Sequence, residues 1–369
     1  MRDLLVYIGT YTEHTSDGSG SKGIYRAPLD PSTGTLGTLE VAAELENPSF
    51  LALSHDDRFL YAVSETGTPD SSGRATGGVA AYRVREGGGL TAINRVPSGG
   101  ADPCHITVSH SGRTVAVANY TGGSTATFRV RDDGGLVAAT LDQHVGHGPN
   151  TERQEKAHAH SVDFSADDRL LLSCDLGADR IYIYRHDPRT STIAPHSPAF
   201  VAVEPGSGPR HLAIHPTRRY AYVITELANT IGTFAWNEQA GTLVQRQRIS
   251  TLPPDYATPP SFTAEIVAHP SGRFVYGTNR GHDTIAHFSV DARDGRLTRL
   301  GETPSGGSFP RGCAVDPSGR WLFAANQNSG TVVGFAIDQK TGALTSVGAP
   351  VKVARACCVI FLPSNTAVR

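Results

Sequence analysis

Asp56-Asp-Arg-Phe-Leu-Tyr-Ala-Val63, Ser111-Gly-Arg-Thr-Val-Ala-Val117 and Ser271-Gly-Arg-Phe-Val-Tyr-Gly277 follow one plan: a polar turn, an arginine, then an apolar strand. Asp167-Asp-Arg-Leu-Leu-Leu-Ser173, Thr217-Arg-Arg-Tyr-Ala-Tyr-Val223 and Ser318-Gly-Arg-Trp-Leu-Phe-Ala324 are three further copies. The anchor arginines stand at 58, 113, 169, 219, 273 and 320. Their mean spacing, about 52 residues, divides the chain into roughly seven units, a period that marks a repeat architecture. Working outward from each anchor, a short apolar strand precedes the turn, as in His105-Ile-Thr-Val108 and His211-Leu-Ala-Ile214. Another follows, as in Thr230-Ile-Gly-Thr-Phe-Ala-Trp236, and a fourth opens at Leu36, Leu90, Leu136, Ile193, Leu243, Leu297 or Leu344. Four short antiparallel strands per unit predict a propeller blade.

The seventh unit is split between the ends of the chain. Arg355-Ala-Cys-Cys-Val359 supplies a first strand, and Leu4-Leu-Val-Tyr-Ile8 a second; Gly23-Ile-Tyr-Arg26 and Leu39-Glu-Val-Ala42 complete the blade. Joining them removes the exposed sheet edge that an open array would carry. The expectation is an all-β fold, one seven-bladed β-propeller domain over residues 1–369, its last blade closed by N- and C-terminal strands.

Composition excludes several classes of function. The chain has 33 Lys+Arg against 35 Asp+Glu, a net charge of −2, too balanced for a nucleic-acid footprint or an anionic-membrane surface. No apolar run is long enough to span a membrane. Met1–Thr10 has too short an apolar stretch for a signal peptide. Five cysteines without a CxxC pair point to free thiols in a reducing cytoplasm, with no structural zinc. There is no GxSxG elbow, HExxH helix or Walker loop, and Gly206-Ser-Gly-Pro209 leads into a strand rather than a helix. No metal and no cofactor are expected; the chemistry left is acid–base work by His and Glu, with Arg stabilising charge.

In an antiparallel pair the start of one strand lies beside the end of the next. The start of first strands, nine residues before each anchor, holds Ser49, Cys104, His160, Arg210, Ala264 and Arg311, with Arg355 taken as the seventh. The end of second strands, seven after, holds Glu65, Tyr120, Leu176, Glu226, Arg280 and Gln327. Both sets are predicted to meet at one mouth of the channel, with His105, His158, His211 and Glu265 close by. The long polar segment Gln143–His158 enters the same mouth, and Arg153, Gln154 and His158 on it are candidates to reach a ligand. Strand parity turns His160 rather than His158 inward, an order that a β-bulge would reverse. Arginines converging on a concave mouth imply a small anionic ligand, its carboxylate or phosphate held by guanidinium forks.

The most distinctive stretches are Arg153-Gln-Glu-Lys-Ala-His-Ala-His160, Gly208-Pro-Arg-His211, Thr225-Glu-Leu227 and Asn279-Arg-Gly-His-Asp-Thr-Ile285, with Tyr7-Ile-Gly-Thr-Tyr11 at the start. Through them the whole chain resembles the seven-bladed lactonase family, which includes propeller-type 6-phosphogluconolactonases and carboxymuconate-lactonizing enzymes. The resemblance implies an active site of His160, Arg210, Glu226 and Arg280, all four already in or beside the two rim sets. Where the family often has proline before the first histidine of the pair, this chain has Ala157. The expected activity is hydrolysis of a phosphorylated or otherwise anionic sugar lactone, with Glu226 or His160 as base and Arg210 or Arg280 on the oxyanion. Arg311, Arg355 or Arg153 would hold the substrate's phosphate or carboxylate. Two alternatives stand beside it: cycloisomerisation of a carboxylated muconate, and a non-catalytic propeller that binds a partner across its rim.

Overall fold

A computed structural model describes residues 4–12, 20–69, 73 and 75–363; Met1–Asp3 of the opening stretch lie outside them. Seven four-stranded antiparallel sheets form the molecule. Blades 1 to 6 begin with first strands Leu51–Leu53, Pro103–Val108, Ala159–Phe164, Pro209–Ile214, Phe262–Ala268 and Pro310–Val315. Blade 7 is the closing one: Ala356–Pro363 pairs with Leu4–Thr10, followed by Gly23–Leu29 and Glu40–Glu44. Among the described residues the only helix is a single 3-10 turn, Glu86–Gly88.

The anchor motif builds the second strand of blades 1 to 6, and these strands are the most buried. Thr114–Asn119, Leu170–Asp175, Tyr220–Thr225 and Trp321–Asn326 are buried at every position. Such strands bury both faces, one against each neighbouring blade, which is why they are apolar nearly throughout. The tyrosine three residues after an anchor also crosses to the next blade. Tyr61, Tyr222 and Tyr276 donate their hydroxyls to the carbonyls of Gly134, Gly295 and Gly342, at 3.1, 3.1 and 2.9 Å. Tyr7 makes the same link from the closing blade to Gly88 of blade 1, at 2.6 Å, tying the end of the ring to its beginning. Each ring fills a core while its polar tip finds a buried acceptor.

At the mouth, pairing between first and second strands slips by one residue in blade after blade. The register jumps from Pro103 to His105, from Ala159 to Ser161, from Pro209 to His211 and from Pro310 to Gly312. The residues passed over are Cys104, His160, Arg210 and Arg311. A bulge of this kind leaves one residue out of the ladder and re-aims its side chain. In the closing blade the jump passes over Cys357, since Gly9 pairs with Cys358 and Thr10 with Ala356.

Arg355 therefore does not take the seventh rim position; Cys357 does. Arg355 stands two residues earlier, at φ 55°, where blades 1, 2, 4 and 6 place Asn47, Asp102, Gly208 and Phe309, also at positive φ. The closing blade has no anchor arginine from which to count, so the sequence alone does not separate Arg355 from the ring position two residues on.

Candidate active site

The bulged residues and the ends of the second strands surround a cavity of about 340 Å³ lined by Tyr11, Glu65, Cys104, Tyr120, Arg153, His160, Glu226, Arg280 and Arg311. Glu226 is its centre. Its Oε2 accepts from Arg210 Nε at 2.9 Å and Arg280 Nη2 at 2.7 Å, and its Oε1 from Arg153 Nη2 at 2.6 Å. His160 Nε2 stands 4.0 Å from the same carboxylate. Arg210, Glu226 and Arg280 come from blades 4 and 5, His160 from blade 3, and Arg153 from the long segment that precedes blade 3.

Burial alone would raise the Glu226 pKa. Arg280, Arg210 and Arg153 overcome that and hold the carboxyl well below the usual carboxylate range. Arg280, fully packed, is pulled down to about 10 by desolvation despite the Glu226 charge. Its Nη2 also donates to the Thr263 carbonyl at 2.8 Å, and its guanidinium lies 5.2 Å from the Phe309 ring centre. For His160, burial and then the Arg210 charge push the pKa well below the ordinary imidazole value. The ring is thus neutral at pH 7, with a lone pair to accept a proton.

Glu65 is a second, looser anchor across the cavity. It accepts from Tyr11 at 2.8 Å and from Ser49, and Arg311 Nη2 stands 3.8 Å away. Arg311 also lies over the Tyr11 ring, 5.1 Å from its centre. Counting the two carboxylates against Arg153, Arg210, Arg280 and Arg311, the site carries an excess of positive charge.

Below this layer lies another, which does not line the cavity. Arg210 Nη1 approaches His211 Nε2 at 3.2 Å, and His211 Nδ1 meets Glu265 Oε1 at 2.8 Å. Because Arg210 can only donate, His211 accepts at Nε2 and donates from Nδ1 to Glu265. His105 packs edge-on against His211, with ring centres 5.0 Å apart. Burial pushes Glu265 up to about 7, against the opposing pull of Arg210 and His105.

Of the residues singled out by sequence, His160, Arg210, Glu226, Arg280, Arg153 and Arg311 come together. His105, His211 and Glu265 support them from beneath. Gln154 is fully buried and bonds the Leu176 carbonyl at 2.8 Å, so it staples the loop instead of facing the cavity. His158 also stays outside: it stacks on Tyr120 at 4.6 Å and bonds Glu155 at 3.1 Å. Sequence reasoning missed Tyr11. The available signal was positional, since Tyr11 N–H bonds the Arg355 carbonyl as Glu226 N–H bonds that of Gly208. A second cavity, at the other end of the channel, is lined by His55, His110, His215, Arg218 and Asp163. His110 and His215 there bond to nearby turns, through Asp168 and Thr217, and do not converge on one another.

Among the described residues no group of three or more His, Cys, Asp or Glu side chains is placed to hold a metal ion. Comparison with known proteins adds the lineage. The sequence model described as "Lactonase, 7-bladed beta-propeller" matches residues 5–361. A 6-phosphogluconolactonase of Bacillus subtilis is 37% identical over 314 residues, 84% of each chain. One of Formosa agariphila is 32% identical, over 84% of this chain and 86% of its own. The structure of a periplasmic gluconolactonase from Pseudomonas aeruginosa superimposes with a TM-score of 0.89 at 32% identity, covering 98% of this chain and 99% of that one.

Proposed function

The chain belongs to the seven-bladed β-propeller lactonase family, and from that premise we propose that it hydrolyses a phosphorylated sugar lactone of the 6-phosphogluconolactone type. The observation that carries this reading is an excess of guanidiniums over carboxylates: Arg153, Arg280 and Arg311 line one small cavity with Glu65 and Glu226, and Arg210 pairs with Glu226 from behind it. An unphosphorylated lactone leaves that surplus unanswered; a phosphate dianion neutralises it.

Between the two candidate bases, His160 is the better one. Both Glu226 oxygens are taken up by arginines, whereas the His160 ring lines the cavity with its Nε2 4.0 Å from that carboxylate. His160 takes a proton from a bound water as the water oxygen bonds to the lactone carbonyl carbon. The carbonyl becomes a tetrahedral oxyanion beside Arg280, which reaches Glu226 and lines the cavity. The ring C–O bond then breaks, and the imidazolium returns its proton to the leaving alkoxide, giving the open hydroxy acid. Glu226 holds Arg210 and Arg280 in place and stabilises the transient imidazolium 4.0 Å away. Arg311 and Arg153, both in the cavity lining, hold the phosphate.

The test is a paired assay on the purified chain with 6-phosphogluconolactone and gluconolactone. A kcat/KM at least about ten-fold higher for the phosphorylated substrate is expected, worth about 1.4 kcal/mol of transition-state binding. Equal values would overturn the phosphate reading, and turnover of a carboxymuconate alone would replace hydrolysis with cycloisomerisation. The cellular compartment is a separate proposal. All five cysteines are free and buried, which suits a reducing cytoplasm, and recovery of the expressed chain from a periplasmic fraction would overturn it.

A further inference from the structure

At three links between successive blades a small amide contact recurs, and at one other link an acid–base pair stands in its place. The last residue of an outer strand region faces the residue six after the next anchor. In blades 2, 5 and 6 these pairs are Ser98 with Asn119, Thr251 with Asn279 and Ser305 with Asn326. Each asparagine Nδ2 donates to the backbone carbonyl of its partner, at 3.3, 3.3 and 3.1 Å. At the link into blade 4 the same sequence positions hold Val203 and Thr225, and the link into the closing blade has Val353, so neither carries the asparagine contact. Entering blade 3 the pair is His144 with Asp175, an acid and a base. Both side chains are fully buried, with Nδ1 and Oδ2 at 2.6 Å.

A buried ionisable pair is costly to place compared with a neutral amide, so its position asks for a reason. The segment it encloses supplies one. Asp175 Oδ1 accepts from His158 N–H at 2.8 Å, so the carboxylate grips the segment by His144 at its entry and His158 at its exit. The next residue, Leu176, accepts from Gln154 in the middle. Next to Gln154 is Arg153, whose guanidinium crosses to Glu226 and also bonds the Tyr120 hydroxyl at 3.2 Å. The other long link, residues 251–264, contains four prolines, 253, 254, 259 and 260, and keeps the ordinary threonine–asparagine pair. His144 is held further by Thr125 at 3.0 Å, by Tyr184 at 2.9 Å and by stacking on Tyr182.

We propose that Asp175 and His144 are positioning residues: a buried clasp that fixes the 145–157 segment so that Arg153 is presented to the Glu226 site. This rests on the lactonase reading only in assigning Arg153 to substrate; the ordering of the segment does not depend on it. The chain's own repeats define the alternative, since the neutral pair suffices where no catalytic arm hangs from the link.

Two measurements on the full chain test it. In Asp175→Asn, a near-isosteric change, amide hydrogen exchange across 145–157 is expected to rise at least about ten-fold while the blade strands stay protected. In the same variant KM for 6-phosphogluconolactone should rise about ten-fold with kcat within about two-fold, the pattern of lost substrate holding. Adding Arg153→Ala should raise KM no further, because both changes remove one contribution. His144→Asn, which leaves the carboxylate in place, should repeat the exchange result if Asp175→Asn does not fold. Asn326→Ser is the control: it should lower thermal stability and leave 145–157 exchange alone. Wild-type exchange in a folded clasp variant, or additive KM effects, would overturn the proposal. If the wild-type chain turns over no lactone, the functional reading fails and the exchange experiment still decides the clasp.

Discussion

Glu226 and Glu265 sit in neighbouring blades, both buried, and yet their protons behave in opposite ways. Desolvation pushes each of them toward the neutral form. Around Glu226 three guanidiniums arrive within hydrogen-bonding distance, and the carboxylate stays charged. Around Glu265 the close partners are a neutral imidazole and the Ile266 N–H at 3.1 Å, and the carboxyl titrates near 7. The same burial thus gives a permanent counter-ion in one layer and a titrating group in the layer beneath. Arg210 joins them, since it bonds Glu226 through Nε and approaches His211 through Nη1.

The comparison breaks most visibly at Glu226. Glu226→Gln leaves three clustered guanidiniums without their counter-charge, and breaking a buried pair in this way typically costs about 3–5 kcal/mol. A fall in kcat of about a hundred-fold or more and a lower melting temperature are expected, and a variant with wild-type rate and stability would mean the cluster is ornamental. Arg280→Ala comes next. Removing one oxyanion donor costs about 2.7–4 kcal/mol, so kcat should fall about 10²–10³-fold in a protein that still melts cooperatively. An effect on KM alone would move Arg280 from the oxyanion to substrate holding.

Glu265→Gln sharpens the contrast through pH. The folded pKa lies above the unfolded one, so the folded state holds more protons between about 4.5 and about 7. This group's contribution to stability is full below the unfolded value and is lost as pH rises through 7. Urea midpoints at pH 5.5 and 8 should therefore diverge in the wild type and move closer in Glu265→Gln, with the variant gaining most at pH 8. Glu226 has the reverse sign: its contribution is present above its ordinary carboxylate value and is lost only in acid, as pH falls through its depressed folded value. The smallest effect is expected at the half-exposed Arg153. Arg153→Ala should raise KM about ten-fold and scarcely alter the melt, because ion pairs with an exposed partner contribute little to stability.

Much of this could be read before any coordinates. Six anchor arginines placed the blades, and the strands counted from them reached His160, Arg210, Glu226 and Arg280 from four separate stretches of chain. Counting failed where its reference was missing, at Arg355, because the closing blade has no anchor. Strand parity favours His160 over His158, and the bulge that could have reversed this order passes over His160 itself and leaves it lining the cavity, a detail that exists only once two strands are paired. Tyr11 escaped for the same reason as Arg355. The acid–base exchange at His144 and Asp175 was invisible because the two residues, thirty-one apart, are matched only by the link geometry of the repeats.

The sequence by itself determined the architecture, because a period of polar turns and apolar strands has a single way to bury every strand and close its edges. Which side chains face the cavity, and what charge each one carries there, was decided by the tertiary structure. Aim depends on one-residue slips in strand pairing, and protonation depends on the balance between desolvation and the number of guanidiniums that arrive. Neither quantity is local to the chain; both arise only when seven blades meet around one axis.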